Sequence, residues 1–288
     1  MRILSAMRFF ARVAACMAVL GFAALGAIAP VAAAPRSEPW LRWEAHRPES
    51  TLAVDHSAWD ELLRRYNVPA DDGGRRFAYG RVSAHDRRRL GDYLDSLTRV
   101  IVTALTRDEQ RAFWINLYNA LTVTVVLDRW PVESIRDISI SPGLFSVGPW
   151  GRKLTTVEGE PLSLDDIEHR VLRPIWKDPR VHYAVNCAAI GCPDLRPIAF
   201  TAANAETMLE QAARAFVNHP RGARIEDGRR LVVSSIYVWF QGDFGDGTDL
   251  AVIAHLARYA EPELKAKLAG IERISGHTYD WAINAPLK

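Results

Sequence analysis

Hydrophobic positions recur at helical spacing through the first half of the chain. Trp59, Leu62, Leu63 and Tyr66 predict a short helix over Ser57 to Tyr66. Leu90, Leu94, Leu97 and Ile101 share one face of a second helix, over Ala84 to Ala104. Between them, Asp71-Asp72-Gly73-Gly74 reads as a turn. The next helix has a different pattern. Thr106 followed by Glu109 resembles a capping box. The helix from Gln110 to Arg129 is apolar on nearly all sides between Ala112 and Leu127. A helix without a polar face belongs in the core. Trp130-Pro131 ends it.

Beyond it the elements shorten. Residues 141–151, rich in glycine and proline, read as a loop. Arg152 to Leu162 predicts a hairpin around Glu158-Gly159. Ser163 then caps a helix from Leu164 to Leu172, with Pro174 as its stop. Val181 to Asn186 reads as a buried strand and Thr201 to Asn218 as a helix. Ala223 to Ser234 alternates around Asp227-Gly228, a hairpin signature. Ile236 to Phe244 is aromatic-rich. Asp249 to Ala260 and Glu263 to Leu268 are helical, and Ile271 to Asn284 is a last strand. Helices come early, and strands come late and as hairpins. The pattern predicts an α+β fold: a single domain with a buried central helix and a small, mainly antiparallel sheet.

The start of the chain changes the charge balance. Arg2, Arg8 and Arg12 precede an apolar run, Val13 to Ala34, with no acidic residue. This is the layout of a secretory signal peptide, with Val31 and Ala33 placed for cleavage after residue 33. The expected location is the periplasm or the extracellular space, with a membrane tether if the signal is not cleaved. No later segment is long and apolar enough to span a membrane. The 288-residue chain carries a net charge of +2, and losing those three arginines turns it to −1. That removes the compositional case for nucleic acid as a partner. Cys16 leaves with the signal, so Cys187 and Cys192 remain. Paired cysteines are the usual state in an oxidising compartment.

Polar residues inside apolar elements are the candidate chemistry. Asn116 and Asn119 lie three residues apart on one side of the central helix. A buried amide without a partner costs about 1–3 kcal/mol, so each must bridge backbone or orient a functional group. Glu168 and His169 lie beside the buried stripe of their helix. In VHYAVNCAAIGCPDL, alternation along a strand puts His182 and Cys187 on opposite faces, so a dyad needs a bend near Asn186. Otherwise His169 is the nearest alternative base. Three readings compete for the cysteines: a disulfide-closed loop, a nucleophile activated by histidine, or a metal site. The metal reading takes His182, Cys187 and Cys192, but a closed zinc site wants four ligands and the spacing is not a known finger. No organic cofactor is implied. The aromatic run 236–244 and Tyr279-Asp280-Trp281 can line a carbohydrate or peptide cleft, or form core.

Five stretches together resemble the DUF547 family. They are FWINLYNALTV (113–123), LSLDDIEHRVLR (162–173), DPRVHYAVNCAAIGCPDL (178–195), IYVWFQGDF (236–244) and YDWAIN (279–284). The resemblance divides the chain into the signal (1–33), a helical lead-in (34–104) and a DUF547-like domain (105–284). The family name brings no established reaction. It implies that the Asn pair, Glu168-His169, His182 and the cysteine loop belong to one core. The expectation is a thiol-dependent hydrolase or transferase acting on an amide or ester. Cys187 is its nucleophile, His182 or His169 its base, and Asn116, Asn119 or Glu168 the orienter. The alternative is a non-catalytic envelope module with a Cys187–Cys192 stapled loop that binds a small molecule, peptide or carbohydrate.

Overall fold

A computed structural model describes residues 35–143 and 146–286. The signal-peptide expectation falls on residues 1–33, outside the described residues. The described chain opens with an irregular lead-in and helix α1 (Ser57–Tyr66). A hairpin follows, β1 (Asn67–Pro69) and β2 (Arg75–Phe77), across the Asp71–Gly74 turn. Strands this short leave no periodic trace in the sequence. Helix α2 runs from Ala84 to Thr98, capped by Ser83, and stops short of the expected Ala104. The β-branched run Val100 to Thr103 disfavours further helix. Ile101 is therefore 62% exposed instead of facing the core.

Helix α3 (Arg107–Arg129) is the buried axis of the fold. Thr106 caps it by accepting from the Glu109 N–H. Helices α2 and α5 (Ala205–Val217) and the helix after Ser163 pack against it. Hairpin β3 (Thr155–Val157) and β4 (Glu160–Leu162) turns at Glu158-Gly159, as the pattern predicts. The Ser163 helix is a widened one. It takes π form over Asp166–Leu172 and continues through α4 (Arg173–Trp176), so Pro174 does not stop it. The reason lies in its hydrogen bonds. The Arg173 N–H reaches Glu168 O, five residues back, so a residue is inserted just before the proline. Pro174 has no N–H to place. The carbonyls its turn leaves open, His169 O and Arg170 O, accept from Glu38 N and Trp40 N of the lead-in at 3.1 and 3.0 Å.

The expected strand over Val181–Asn186 is instead a 3-10 turn, Pro179–Tyr183. Asp178 caps it by accepting from the Arg180 N–H at 2.9 Å, and Pro179 supplies a helical φ at its first position. Strand alternation therefore does not put His182 and Cys187 on opposite faces. Helix α5 begins four residues later than expected, because Thr201 and Asn204 bond each other's backbone in a preceding turn.

The C-terminal part holds the three-stranded sheet. Strands β5 (Ala223–Glu226) and β6 (Arg230–Ser234) form the expected hairpin at Asp227-Gly228. The aromatic run becomes α6 (Ser235–Trp239) and a 3-10 turn, Gln241–Phe244. Helices α7 (Asp249–Tyr259) and α8 (Pro262–Leu268) follow. The expected last strand shrinks to β7 (Gly276–Thr278), which runs parallel to β6. The fold is α+β, with small sheets around a helical centre.

Two apolar clusters fill the interior. One surrounds α3, and the other lies between α5, α7 and the β5–β6 hairpin. Val181 belongs to the first and Tyr183 to the second, which leaves His182 at their junction.

Candidate functional site

Both asparagines of α3 close exact pairs of backbone bonds. Asn116 donates to Phe200 O at 2.7 Å and accepts from Phe200 N at 3.0 Å. Asn119 donates to Ala184 O at 2.9 Å and accepts from Asn186 N at 2.8 Å. Neither amide reaches a catalytic side chain. They bridge backbone, and through Asn119 the central helix fixes the chain between His182 and Cys187. Asn186 extends this frame. Its Oδ1 accepts from Ala188 N and Asn284 Nδ2, and its Nδ2 donates to Pro193 O.

The π turn brings Glu168 and His169 inward. Both are buried, where the sequence pattern places them beside the apolar stripe. Arg173 donates to His169 Nδ1 at 3.0 Å. A guanidinium can only donate, so the ring proton sits on Nε2, which faces Asp165 Oδ1 at 3.7 Å. Burial pushes the His169 imidazole below its ordinary value, despite the opposing pull of Glu168. Asp165 is half-exposed at the rim. Burial first, then the Glu168 and Asp166 carboxylates, push it up to about 6.

His182 is the centre of the arrangement. Its Nε2 donates to Asp243 Oδ2 at 2.7 Å. Asp243 also accepts two bonds from Arg173, Nε at 2.5 Å and Nη2 at 3.1 Å. Burial alone would raise the Asp243 carboxyl, but the bonds from His182 and Arg173 outweigh it and hold the group well below the carboxylate range. An ionised carboxylate only accepts, so the tautomer of His182 is set and Nδ1 is left for chemistry. Nδ1 looks at Glu168 Oε1 across 3.7 Å, and the same oxygen is 4.0 Å from His169 Nδ1. Those gaps exceed a direct hydrogen bond. Phe240 stacks on the His182 ring at 4.5 Å, with Phe244 at 5.4 Å.

The cysteines close the far side. Cys187 and Cys192 are joined as a disulfide, with Cα atoms 6.2 Å apart. Tyr279 Oη lies 3.0 Å from Cys187 Sγ and 3.1 Å from Cys192 Sγ. Among the described residues, neither sulfur has a histidine as hydrogen-bond partner. Tyr279 and Tyr118 both sit beside Glu168. Burial, then the Glu168 charge, push both phenols far above 10, so they stay protonated as donors. The Cys187–Cys192 loop is stitched to the 279–284 segment by Ile190 N to Ala282 O and Gly191 N to Asp280 O, both 2.8 Å. A Cβ at Gly191 would come 2.7 Å from Asp280 N, so the close approach requires glycine.

Of the sequence-predicted residues, the structure brings together Glu168, His169 and His182. It sets Asn116 and Asn119 behind the site as its frame, and pairs Cys187 with Cys192, with no imidazole hydrogen-bonded to either sulfur among the described residues. Sequence reasoning misses Asp243, Arg173, Tyr118 and Asp165, and reads Tyr279 only as a cleft or core aromatic. All five lie inside the stretches that carry the family resemblance, which was the available signal. Among the described residues, no three metal-ligating side chains cluster to hold an ion, and no helix is long and apolar enough to cross a membrane.

Residues 102–217 match the family model described as a protein of unknown function, DUF547. No curated protein and no solved structure matches the chain. The matched segment holds Glu168, His169, Arg173, His182 and both cysteines, while Asp243 and Tyr279 lie beyond it.

Proposed function

Residues 102–217 make this chain a DUF547 protein, and from its site we propose a hydrolase or transferase acting on an amide or ester. One observation carries this reading. His182 is held at Nε2 by the Asp243 carboxylate, which also accepts from Arg173, and its other nitrogen faces Glu168 Oε1 at 3.7 Å. A histidine so oriented is a general base and then a general acid.

The step is written with water as nucleophile. His182 Nδ1 takes a proton as the water oxygen bonds to the acyl carbon. The oxyanion accepts from a neutral phenol, Tyr118 or Tyr279. Collapse breaks the acyl–oxygen or acyl–nitrogen bond, and the leaving group takes the proton from His182. An alcohol or amine in place of water makes the same step a transfer. Glu168 shares the proton on the Nδ1 side, and Asp243 is a positioning residue.

The thiol-dependent form needs Cys187 as a free thiolate, and its pairing with Cys192 favours the water form. Export to an oxidising compartment is part of the proposal and is consistent with that pairing. The pairing also supports the second reading, a stapled binding module without turnover.

The test is hydrolysis of a panel of chromogenic esters and amides by the wild type, His182→Asn and Asp243→Asn. The expected result is turnover by the wild type, a loss of about 10²–10⁴ in kcat for His182→Asn, and unchanged circular dichroism. Asp243→Asn lowers kcat more than it moves KM. Turnover that survives in His182→Asn overturns the proposal. Absence of wild-type turnover favours the binding module.

A further inference from the structure

Outside the acid–base groups, four arginines meet around Asp194. Arg221, just after α5, donates from Nη2 to Asp194 Oδ1 at 2.8 Å. Its Nη1 holds Ile190 O and Cys192 O at 2.5 and 2.9 Å, and its Nε meets His219 Nδ1 at 3.2 Å. Arg221 is therefore a fixed post with few donors to spare. Arg76 of β2 reaches the same place. A Cβ at Gly74 would lie 2.7 Å from Arg221 Nη2, 3.2 Å from Arg76 Nη1 and 3.2 Å from Asp194 Oδ1. The charge of Arg76 is matched by Asp72.

Arg75 and Arg196 have no such match. Asp194 acts on both, yet among the described residues no carboxylate comes within ion-pair distance of either guanidinium. Arg75 donates to Asn67 O. Arg196 makes one long bond, Nη2 to Gln211 Oε1 at 3.4 Å. The Nε of each is sealed from solvent without an acceptor. Burial and the Arg75 charge lower the Arg196 guanidinium from its ordinary value, against the pull of Asp194. It is still charged at any ordinary pH. The cluster thus sets Arg75, Arg196 and Arg221 against Asp194 alone, with Arg76 and Asp72 cancelling. A half-buried guanidinium beside a second cation is unfavourable until an anion joins it.

There is a place for that anion. Arg196, Arg221 and Asp194 line a cleft with Tyr183, Phe216 and Ala215. Ala215 is exposed on α5, so the cleft reaches the surface. The cavity is small, about 10 Å³, the measure of a single water. It admits the oxygen end of a ligand and not its body. A guanidinium fork suits such an end, because a carboxylate or phosphate accepts two parallel N–H bonds from it.

We propose that this cleft binds the head of a small oxyanion, a carboxylate or a phosphate, on Arg196, with Arg221 as its fixed neighbour. The site uses none of the residues assigned to catalysis and stands apart from the hydrolase or transferase reading. Tyr183 follows His182 and Arg221 holds the Cys192 carbonyl, so a bound anion touches chain that frames the catalytic groups.

Acetate and inorganic phosphate are titrated by calorimetry into the full-length protein, at neutral pH and at an ionic strength fixed with sodium chloride. The expected result is saturable binding of at least one of them above the chloride background. Acetate alone identifies a carboxylate ligand, phosphate alone a phosphate, and either supports the proposal. Arg196→Gln weakens binding at least about tenfold. Arg196→Lys, which keeps the charge without the fork, weakens it less. Arg88→Gln, at an exposed arginine of α2, leaves it unchanged. Ala215→Leu, a substitution an exposed helix position accepts, blocks the mouth and abolishes binding, and it carries the test if Arg196→Gln does not fold. No saturable binding, equal affinity in the wild type and Arg196→Gln, or binding untouched by Ala215→Leu overturns the proposal. Anion binding kept in His182→Asn, with or without ester hydrolysis by the wild type, separates this site from the catalytic one.

Discussion

At Asn119 a single carboxamide serves two backbone groups that the turn after His182 leaves without partners. Alanine there strands Ala184 O and Asn186 N in a buried place. Asn119→Ala is expected to cost about 2–6 kcal/mol in urea unfolding, since each of the two stranded groups costs about 1–3 kcal/mol. Asn119→Asp should cost at least as much, because it sets a carboxylate against Ala184 O. The need for a partner was legible in the sequence, as a polar pair in an apolar helix. The partner itself was not. The same limit applies to His182, which stands out in its segment, whereas Asp243 is 61 residues away and joined to it only by folding. Buried histidines also set the acid response. Burial lowers His56 and His255 to about 4 from 6.5. Between those values the unfolded chain holds protons that the folded chain does not, so stability is complete above 6.5 and falls as pH drops toward 4. Each group contributes a slope of up to about 1.4 kcal/mol per pH unit. Asp165, raised to about 6, works in the opposite sense below that pH, weakened by its exposure. Thermal melts at pH 7, 5.5 and 4.5 should show the midpoint falling, and His255→Asn should flatten the fall.

Among the elements, the π helix decides the most. Its inserted residue turns Glu168 inward, and the proline after it leaves two carbonyls for the lead-in to occupy. Pro174→Ala returns an N–H that competes for Arg170 O. Global stability should change by less than about 1 kcal/mol, while amide exchange at Glu38 and Trp40 should quicken. Equal exchange rates in the two proteins would show that the lead-in is held by something else. Sequence periodicity marked this helix and misjudged its end, because a proline usually stops a regular ladder and a widened turn has no signature of its own. The segment 181–186 was misread for another reason. A short apolar run fits a buried strand or a buried turn equally well, and Asp178-Pro179, a helix-start signal, was the only arbiter.

For the molecule as a whole, the patterning gave the α+β class and the buried axis, because both follow from where apolar residues recur. The division of the interior into two cores, with the polar site between them, was not visible. It depends on which helix faces meet. The disulfide packs on the core around α3 through Cys187 and closes a loop only five residues apart in sequence. Removing it in Cys187→Ser/Cys192→Ser should cost roughly 2 kcal/mol by loop entropy, read as a lower urea midpoint with unchanged m. Retained hydrolysis in that double variant is the outcome expected of water as nucleophile, and a complete loss with the fold intact would restore the thiol.

The stitching of residues 187–192 to 279–284 has a consequence for the order of events during synthesis. The cysteine loop emerges from the ribosome roughly ninety residues before the segment that carries Tyr279, a delay of about 5–20 s at ordinary elongation rates. Through that interval the nascent chain has its imidazoles and thiols but not the phenol that later contacts both sulfurs. The two sulfurs therefore lack that contact until the C-terminal stretch arrives, and the site is completed only then.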